Sequence, residues 1–375
     1  MKKPNDYIEA DPNYWSDIFG LTPIFIFPAR IVGGHELMAI EIIKSLTLLG
    51  NDVRCYVEPT NSLLIDILKS IIDQSKIKKL PIKQRRLEVF HAFFNFKMKE
   101  KVKEFIIQLD EVRGSSVTIV QGDIEIGSPY CLAAGRGVKG FMSYLPFVHT
   151  PMIMGKKLSL LRWLLAKIVY KKISRFILIS TVFRADLQLL SPKAEVQIVR
   201  NRVRDLKIYR EQRDSFIQNN TSGPNVRIKI GIIGRISYRH KGHDILLSSL
   251  SKLDKKILCK IELIVIGDGE DGIKFEQQSA QLILKGLTVN MVGWANEPWS
   301  VGYNLDLLVI PSRFEGVPLV MLEAIELGIP IIATNVDGMK EYLDHNSLFT
   351  SEDELSYYIN KFVIDKTNSS DGSKI

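Results

Sequence analysis

Residues 306–328 read DLLVIPSRFEGVPLVMLEAIELG, and this stretch decides the fold. It begins with an apolar run that is short enough for a buried strand. A loop ending at Glu315 and Gly316 follows, and Pro318 then marks the start of a helix, because proline is favoured at the first helical position. Gly328 ends that helix. The sequence therefore predicts a strand, loop and helix unit, the repeating element of a doubly wound α/β sheet.

Glu315 and Glu323 are the two carboxylates of this unit. Glu315 lies at the carboxyl end of the predicted strand, where open α/β sheets bind their ligands, and Glu323 lies inside the helix. Backbone N–H groups at the helix start would attract an anion, phosphate above all, and carboxylates suit the hydroxyl-rich groups beside it. The residues that would supply those N–H groups are Gly316, Val317 and Leu319. Two acids at this spacing also occur in many α/β domains, so the stretch alone leaves a purely structural role open.

The rest of the chain alternates apolar strand patterns with helical ones on either side of one polar stretch. Residues 205–225 lose the periodicity and gather Arg, Gln, Asn, Ser and Gly, so they are interpreted as a linker. The alternation predicts a parallel, doubly wound sheet in residues 1–204 and another in residues 226–375, which end in a polar tail. The predicted strands are 23–27, 52–57, 117–120, 140–145, 176–179, 196–199, 228–233, 261–266, 289–292, 307–310 and 331–333.

Bulk properties fit two globular domains. The chain has 375 residues, of which 46% are hydrophobic and 25% are charged, so it can bury two cores. Its three cysteines are far apart and match no zinc or disulfide spacing, which favours a reducing compartment. The first residues lack the apolar core of a signal peptide, and the most apolar helical stretch, 158–170, is too short to span a bilayer. We therefore expect a cytoplasmic protein.

The net charge of +8 belongs to the first half of the chain. Residues 1–200 carry 29 Lys and Arg against 19 Asp and Glu. Basic residues crowd the segment 76–86, and aromatic and aliphatic residues follow in 87–96. Such a surface predicts peripheral contact with anionic lipid headgroups, although a solvated basic helix face explains it equally well. Nucleic acid is a poorer partner, because no recognition fold accompanies the charge.

A glycine-flanked basic loop follows the first predicted strand of the second domain. Residues 234–242 place Arg235 and Lys241 at that strand's carboxyl end, between glycines that let backbone approach a ligand. These residues predict a diphosphate-binding site, although many loops carry solvated Arg and Lys. Gly267 and Gly293 end the next two predicted strands at the same edge of the sheet.

Residues 231–242 and 293–341, together with the stretch quoted first, resemble the C-terminal half of the family 4 retaining glycosyltransferases, which have the GT-B fold. Glu315 and Glu323 stand at the positions of the family's Glu-x7-Glu signature. The resemblance implies two Rossmann-like domains facing a cleft, with the sugar nucleotide bound by the C-terminal domain and the acceptor by the N-terminal one. It covers nearly the whole second half closely and the first half loosely.

The resemblance also implies a role for each matching residue. Arg235 and Lys241 would hold the diphosphate, and Gly267 and Gly293 would lie near the nucleotide. Glu323 would accept hydrogen bonds from the ribose hydroxyls. Glu315 would hold the donor sugar and is the first candidate for the chemical step.

Three residues of the first half complete the predicted site. Gly33 and Gly34 precede the first helix, match a glycine pair of the family and would face a phosphate; His35 beside them departs from the family's small residue. His149 lies in a strand-end loop and matches a histidine that the family places near the donor's sugar or phosphate. We predict it to be catalytic with Glu315, although a lone histidine is more often structural.

Taken together with the resemblance, these features predict transfer of a sugar from a nucleoside diphosphate sugar to a saccharide or lipid-linked saccharide. Retention of the anomeric configuration is implied by the resemblance alone. The expected setting is assembly of cell-surface polysaccharide or lipopolysaccharide, peripheral to the cytoplasmic face of the membrane. No metal or other cofactor is expected, since cations and a helix dipole can stabilise the departing diphosphate. A sugar-nucleotide epimerase of the same fold and a non-catalytic partner subunit are the alternatives.

Overall fold

The computed structural model describes residues 14–110, 116–135, 137–138, 140–219 and 227–371. Its backbone contacts divide the chain into two compact units, an N-terminal unit of residues 2–202 and a C-terminal unit that begins at Val203 and ends at Ile375. Each unit is an α/β domain with its own parallel sheet and its own hydrophobic core.

In the described residues of the N-terminal unit, seven strands form one parallel sheet. The strands are β1 (Ile24–Phe27), β2 (Arg54–Val57), β3 (Ile77–Lys79), β4 (Val117–Val120), β5 (Phe141–Leu145), β6 (Arg175–Leu178) and β7 (Glu195–Ile198). The helices are α1 (Tyr14–Phe19), α2 (Gly34–Leu48), α3 (Ser62–Lys69), α4 (Glu88–Phe94), α5 (Phe96–Asp110), α6 (Ser128–Ala134), α7 (Ser159–Lys172) and α8 (Arg184–Leu190). The strand order across the sheet is β3-β2-β1-β4-β5-β6-β7.

The central strands are apolar because helices cover both faces of the sheet. Every residue of β1, β4 and β5 is buried, as expected for strands inside a parallel sheet. The edge strand β3 differs, since its two lysines are exposed. Charge on an edge strand hinders pairing with another chain, which gives Lys78 and Lys79 a structural role.

The C-terminal unit repeats this architecture with six strands in its described residues. The strands are β8 (Ile228–Ile233), β9 (Ile261–Ile266), β10 (Thr288–Gly293), β11 (Leu307–Ile310), β12 (Ile331–Thr334) and β13 (Leu348–Phe349). The helices are α9 (Lys207–Asn219), α10 (Tyr238–Lys241), α11 (His243–Ser251), α12 (Lys255–Leu258), α13 (Gly272–Leu284), α14 (Trp299–Gly302), α15 (Leu319–Glu326) and α16 (Glu352–Asp371). The strand order across the sheet is β10-β9-β8-β11-β12-β13.

The order of the strands reverses beside the first strand of each sheet. In the C-terminal unit β8 pairs with β9 on one side and with β11 on the other, and all pairs are parallel. Loops that leave β8 and β11 therefore run to opposite faces and open a crevice at the carboxyl edge. The two loops with the predicted phosphate-binding and carboxylate residues lie on either side of this point.

The stretch interpreted as a linker contains a helix. Residues 207–219 form α9, which counts with the C-terminal unit, while residues 220–226 lie outside the described residues. Arg213 is buried and donates hydrogen bonds to the carbonyl oxygens of Tyr303 (2.8 Å) and Leu305 (2.9 Å). The helix is held by a buried guanidinium rather than by an apolar stripe, so its sequence lacks the periodicity that predicts helices.

Three smaller elements also differ from the sequence prediction. The helical stretch predicted across residues 87–109 is two helices, because Asn95 adopts extended backbone and its side chain accepts from the Met98 N–H (3.1 Å). β3 was missed because only one of its three residues is apolar, and β13 because it has two residues.

Candidate functional site

The loops after β8 and β9 meet through glycine backbone. A Cβ on Gly267 would lie 2.0 Å from the carbonyl oxygen of Gly234, so no side chain fits there. Gly234 N–H donates to Ile266 O (2.9 Å), and Gly267 N–H donates to Gly293 O (2.8 Å). These bonds join the ends of β8, β9 and β10 into one edge that has little side-chain bulk.

The loops after β8 and β11 meet in the same way at Gly242. This residue has φ +67°, and a Cβ on it would lie 1.9 Å from the carbonyl oxygen of Pro311. The close approach places Lys241 and His240 beside the loop that carries Glu315. Gly242 therefore fixes the distance between the two halves of the predicted site.

We expect Gly242→Ala to lower the free energy of unfolding of the C-terminal unit by more than a matched glycine substitution does. Gly328 has a similar φ of +65°, but nothing lies within 4 Å of a Cβ built on it. Gly328→Ala should cost about 1–2 kcal/mol for the left-handed backbone alone. Gly242→Ala adds the steric overlap and should cost at least about 3 kcal/mol. Urea denaturation of both variants measures the difference, and equal losses would contradict the packing described here.

Glu315 lies at the centre of the C-terminal unit's site. Its carboxylate is buried and accepts from the Lys241 ammonium and from the Ser312 hydroxyl (3.0 Å). His240 Nε2 lies 3.7 Å from the same oxygen. Burial raises the pKa of Glu315, but the Lys241 charge and the hydrogen bonds from Lys241 and Ser312 outweigh it and lower the pKa below its usual value. Glu315 is therefore a buried carboxylate that stays ionised.

Asp337 holds the backbone of Glu315 in place. Its carboxylate accepts from the Glu315 N–H (2.7 Å), and its own backbone has a left-handed φ of +48°. The next residue, Gly338, donates to Gly316 O (3.1 Å), and a Cβ on Gly338 would lie 2.3 Å from that oxygen. The loop after β12 thus holds the loop after β11 in place immediately before the start of α15.

The start of α15 can attract an anion. Its N-cap residue is Pro318, which makes no side-chain capping bond. Helix N-termini carry partial positive charge and N–H groups that point outward, so they bind phosphate readily. Gly316 and Val317 are buried and Leu319 is half-buried at this helix start. The charged pair and the helix start lie within one loop of each other.

His240 packs flat against Phe314. Their ring centroids are 4.4 Å apart and the ring planes differ by 8°. Burial lowers the pKa of His240 to about 4, and the nearby Lys241 and Arg235 charges add to the effect, so the ring is neutral at physiological pH. The sequence did not single out His240, because a histidine in a polar loop has no distinctive pattern.

Glu323 is buried within the C-terminal unit and has two donors of its own. Its Oε2 accepts from the Trp299 indole N–H (2.6 Å), and its Oε1 accepts from Arg204 Nε (2.9 Å). Burial raises its pKa, although both donors lower it in part. Each carboxylate oxygen has two lone pairs, so both can still accept another hydrogen bond.

Arg235 and the end of β10 complete this edge of the sheet. Arg235 is exposed, and its side chain passes beside Gly269. Gly293 has φ +78°, and Trp294 after it exposes 69% of its surface. An exposed tryptophan at a ligand-binding edge offers a flat apolar face.

The predicted residues of the N-terminal unit lie at the carboxyl edge of its own sheet. Gly33 N–H donates to the Glu36 side chain (2.9 Å), so Glu36 caps α2. His35 is buried and its Nε2 lies 2.8 Å from the carbonyl oxygen of Tyr144. Burial lowers the pKa of His35 to about 4. The side chain that departs from the family pattern therefore fastens the helix start to β5, and Gly34 begins the helix beside it.

His149 is buried between aromatic rings. Its ring centroid lies 5.0 Å from that of Phe147 and 5.3 Å from that of Phe183. This packing orients the imidazole after β5, as its position in the sequence predicts. A catalytic role for His149 stays a prediction.

Two further observations concern metal binding and membrane-spanning helices. Among the residues that the structure describes, no group of three or more His, Cys, Asp or Glu side chains is arranged to hold a metal ion. Over the same residues, no helix combines the length and the apolar character needed to cross a membrane.

Comparison with known proteins identifies the domain that carries this site. Residues 213–373 match the profile of the family described as Glycosyl transferases group 1. The matched residues cover most of the C-terminal unit, which begins at Val203. All the C-terminal residues of the predicted site lie inside this matched range.

Two relatives match parts of the chain. Protein CapJ of Staphylococcus aureus is 32% identical over 148 residues, which are 37% of this chain and 36% of that protein. The UDP-Gal:alpha-D-GlcNAc-diphosphoundecaprenol alpha-1,3-galactosyltransferase of Escherichia coli is 35% identical over 88 residues, which are 23% of this chain and 22% of that protein. The chain thus matches little more than a third, or less, of the length of these relatives.

A solved structure matches nearly the whole chain. The structure of Anabaena Alr3699/HepE in complex with UDP and glucose has a TM-score of 0.69 and 17% identity, and the match covers 93% of this chain and 92% of that one. The likeness extends over both parallel-sheet domains of this chain, so the predicted α/β GT-B fold of two Rossmann-like domains is confirmed. The assignment to family 4 and the Glu-x7-Glu signature stay predictions.

Proposed function

We propose that this protein is a retaining glycosyltransferase of family 4. It transfers a sugar from a nucleoside diphosphate sugar to a saccharide or lipid-linked saccharide acceptor. The observation that carries the proposal is the pair of half-buried Lys241 and buried Glu315 beside the start of α15, at the switch point of the sheet. A cation, an ionised carboxylate and a helix N-terminus together suit a ligand that joins a phosphate to hydroxyl groups.

The diphosphate is the group on which negative charge grows during transfer. The bond from the anomeric carbon to the phosphate oxygen breaks, and the acceptor oxygen forms the new bond to that carbon. Arg235, Lys241 and the N-terminus of α15 stabilise the departing diphosphate. Lys241 exchanges part of its contact with Glu315 for the phosphate when the donor binds.

Two carboxylates hold the hydroxyl groups of the donor. Glu315 accepts from hydroxyls of the transferred sugar and acts in the chemical step, since burial and a fixed backbone keep it in one position. Glu323 accepts from the ribose hydroxyls with its remaining lone pairs. Trp299 and Arg204 orient it for this role.

The glycines of the site serve through their backbone. Gly267 and Gly293 lie at the edge where the nucleotide base binds, next to the exposed Trp294. In the N-terminal unit, Gly33 and Gly34 lie at the start of α2, where the Gly34 N–H faces a phosphate of the donor while the Gly33 N–H stays bonded to Glu36. His149 acts on the donor's sugar or phosphate.

We also propose that the reaction needs no metal ion or other cofactor. Cations and a helix dipole supply the positive charge that a metal would otherwise bring to a diphosphate. Transfer in the presence of excess EDTA tests this directly.

The acceptor and its setting follow from the relatives and the charge. The Escherichia coli relative is named for a sugar carried on diphosphoundecaprenol. An acceptor of this kind lies in a membrane, and the basic charge of the N-terminal half suits an anionic cytoplasmic face. The protein therefore takes part in assembly of cell-surface polysaccharide or lipopolysaccharide, peripheral to that membrane.

We expect UDP to stabilise the protein in a thermal-shift screen of nucleoside diphosphates and their sugars. A ligand at about 100 times its dissociation constant adds roughly 2.7 kcal/mol, which is a readily measured shift. Lys241→Met should reduce the UDP shift, whereas Lys252→Met, which changes a surface lysine of the same unit, should leave it unchanged. Absence of a shift with every nucleotide would refute the donor-binding proposal.

Turnover separates the two alternative functions from this one. Conversion of a nucleotide sugar in the absence of any acceptor would identify an epimerase. Nucleotide binding without turnover in the presence of membrane extracts would indicate a non-catalytic partner subunit.

A further inference from the structure

One helix of the N-terminal unit leaves an apolar stripe exposed. Helix α7 buries Leu165, Ala166, Val169 and Tyr170 against the core. On its outer side a second set of apolar residues keeps between 43% and 66% of its surface exposed. This set, which we call the outer stripe, consists of Leu158, Leu160, Leu161, Leu164 and Ile168.

The turn before α7 extends the outer stripe. Met152 and Ile153 are exposed in the segment that leads into the helix. Monomeric soluble proteins rarely expose neighbouring large apolar side chains in such number, and a patch of this kind usually marks an interaction site. The outer stripe therefore needs a partner.

Basic residues surround the stripe, and acidic ones are absent from its sequence. Residues 151–172 contain six Lys and Arg and no Asp or Glu. Two of the six turn inward, since Lys156 contacts Asp123 (2.8 Å) and Arg162 contacts Glu125 (2.6 Å). The remaining four are Lys157, Lys167, Lys171 and Lys172.

The ion pairs of Lys156 and Arg162 hold the start of α7 in place, and the outer stripe stays exposed to solvent. Asp123 and Glu125 follow β4, so they fasten the start of α7 to the carboxyl edge of the sheet. Trp163 is half-buried, and the Lys167 ammonium lies 5.5 Å from its ring centroid. A half-buried tryptophan beside lysines is typical of a surface that meets lipid headgroups.

Two exposed leucines adopt a backbone conformation that normally favours glycine. Leu158 precedes α7 with φ +55°, and Leu87 precedes α4 with φ +56°. Helices α4 and α7 are in contact, so both leucines belong to one side of the unit. A left-handed leucine costs about 1–2 kcal/mol relative to right-handed backbone, and glycine would avoid that cost. An exposed apolar side chain on strained backbone does not stabilise the fold, so its position suggests contact with a partner.

We infer that the outer stripe of α7 is the surface by which this protein inserts into a bilayer with anionic headgroups. The leucines enter the boundary between headgroups and acyl chains, and the three exposed lysines, Lys157, Lys171 and Lys172, contact the headgroup phosphates. A bilayer is the occupant that matches both halves of the surface, because it supplies an apolar layer rimmed by negative charge. The inference rests on the proposed membrane setting and moves the contact from the basic segment 76–86 to α7.

The test is co-sedimentation of the full chain with vesicles. Equal parts of phosphatidylglycerol and phosphatidylcholine are compared with phosphatidylcholine alone. Leu161→Gln combined with Leu164→Gln should weaken binding to the anionic vesicles by about tenfold or more, since each leucine loses the gain of leaving water. Glutamine is a good helix former, so α7 should persist.

A second variant tests the charge separately. It replaces three lysines of this surface with glutamine: Lys157→Gln, Lys171→Gln and Lys172→Gln. At low salt this variant should bind anionic vesicles about tenfold or more weakly, and it should lose most of the preference for anionic vesicles over phosphatidylcholine vesicles. The matched control is Leu48→Gln with Leu189→Gln, which changes leucines that are 88% and 80% exposed on α2 and α8. The control should bind vesicles as the unsubstituted protein does.

Three results would overturn the inference. The first is unchanged vesicle binding by the leucine variant, and the second is an equal loss in the control. The third is a dimer in sedimentation velocity that the leucine variant converts to monomer while vesicle binding persists, because a second copy would then be the occupant. Failure of the proposed function would show differently, as absence of a UDP-induced thermal shift in the unsubstituted protein.

Discussion

Replacing Glu315 with Ala should lower kcat for sugar transfer by about 10²–10³-fold, the loss expected when one preorganised polar group is removed from an active site. The carboxylate is buried, ionised and held by Lys241 and Ser312, so no neighbouring side chain can take its place. UDP affinity should stay the same or rise, because the Lys241 ammonium loses its internal partner and remains available to the diphosphate. Steady-state kinetics with UDP titrations measures both effects.

The control for this prediction is Glu276→Ala. Glu276 is an exposed carboxylate on α13 of the same unit. Its replacement removes equal charge without touching the loop after β11. Full activity of the Glu315 variant would remove this residue from the chemical step and favour a non-catalytic partner subunit.

The fold could be predicted from sequence wherever burial dictates the residue pattern. The strands β1 and β8 are runs of Ile, Phe and Gly between helical stretches, because both faces of a parallel sheet exclude water. The prediction failed where a polar contact, rather than burial of apolar side chains, holds an element in place. Helix α9 has a polar sequence, and Arg213 anchors it through backbone carbonyls that no sequence pattern reveals.

The sequence singled out residues of the candidate site one by one, but it did not predict how they are arranged. Arg235, Lys241 and Glu315 were assigned to diphosphate and sugar as separate contacts. The ion pair between Lys241 and Glu315 joins positions 74 residues apart, and its existence depends on the backbone contact at Gly242. Asp337 was missed for the same reason, since its bond to the Glu315 N–H spans 22 residues that contain helix α15 and strand β12.

The ion pair also makes a strong prediction about stability. Lys241→Met should destabilise the C-terminal unit by about 3 kcal/mol at neutral pH, because removal of one partner leaves the other charge buried and unpaired. Adding Glu315→Gln to the same chain should recover at least half of that loss, since the uncompensated charge is gone. Lys252→Met, which breaks only surface pairs with Glu352 and Asp353, should have no measurable effect. Urea denaturation of the four proteins gives the comparison.

The pH dependence of this loss has a definite sign. In the unsubstituted protein the Glu315 pKa is lowered, so the pair adds stability above the pKa of the unfolded glutamate, about 4.3, and that contribution is lost as pH falls through the folded pKa. In the Lys241 variant burial is opposed mainly by the Ser312 hydrogen bond, so we expect the Glu315 pKa to be raised. Folding then takes up a proton, and stability rises as pH falls toward about 4.3. The gap between the two proteins should therefore narrow on acidification, because the carboxyl becomes neutral in both. A gap that stays constant with pH would show that Lys241 stabilises the unit through packing rather than through its charge.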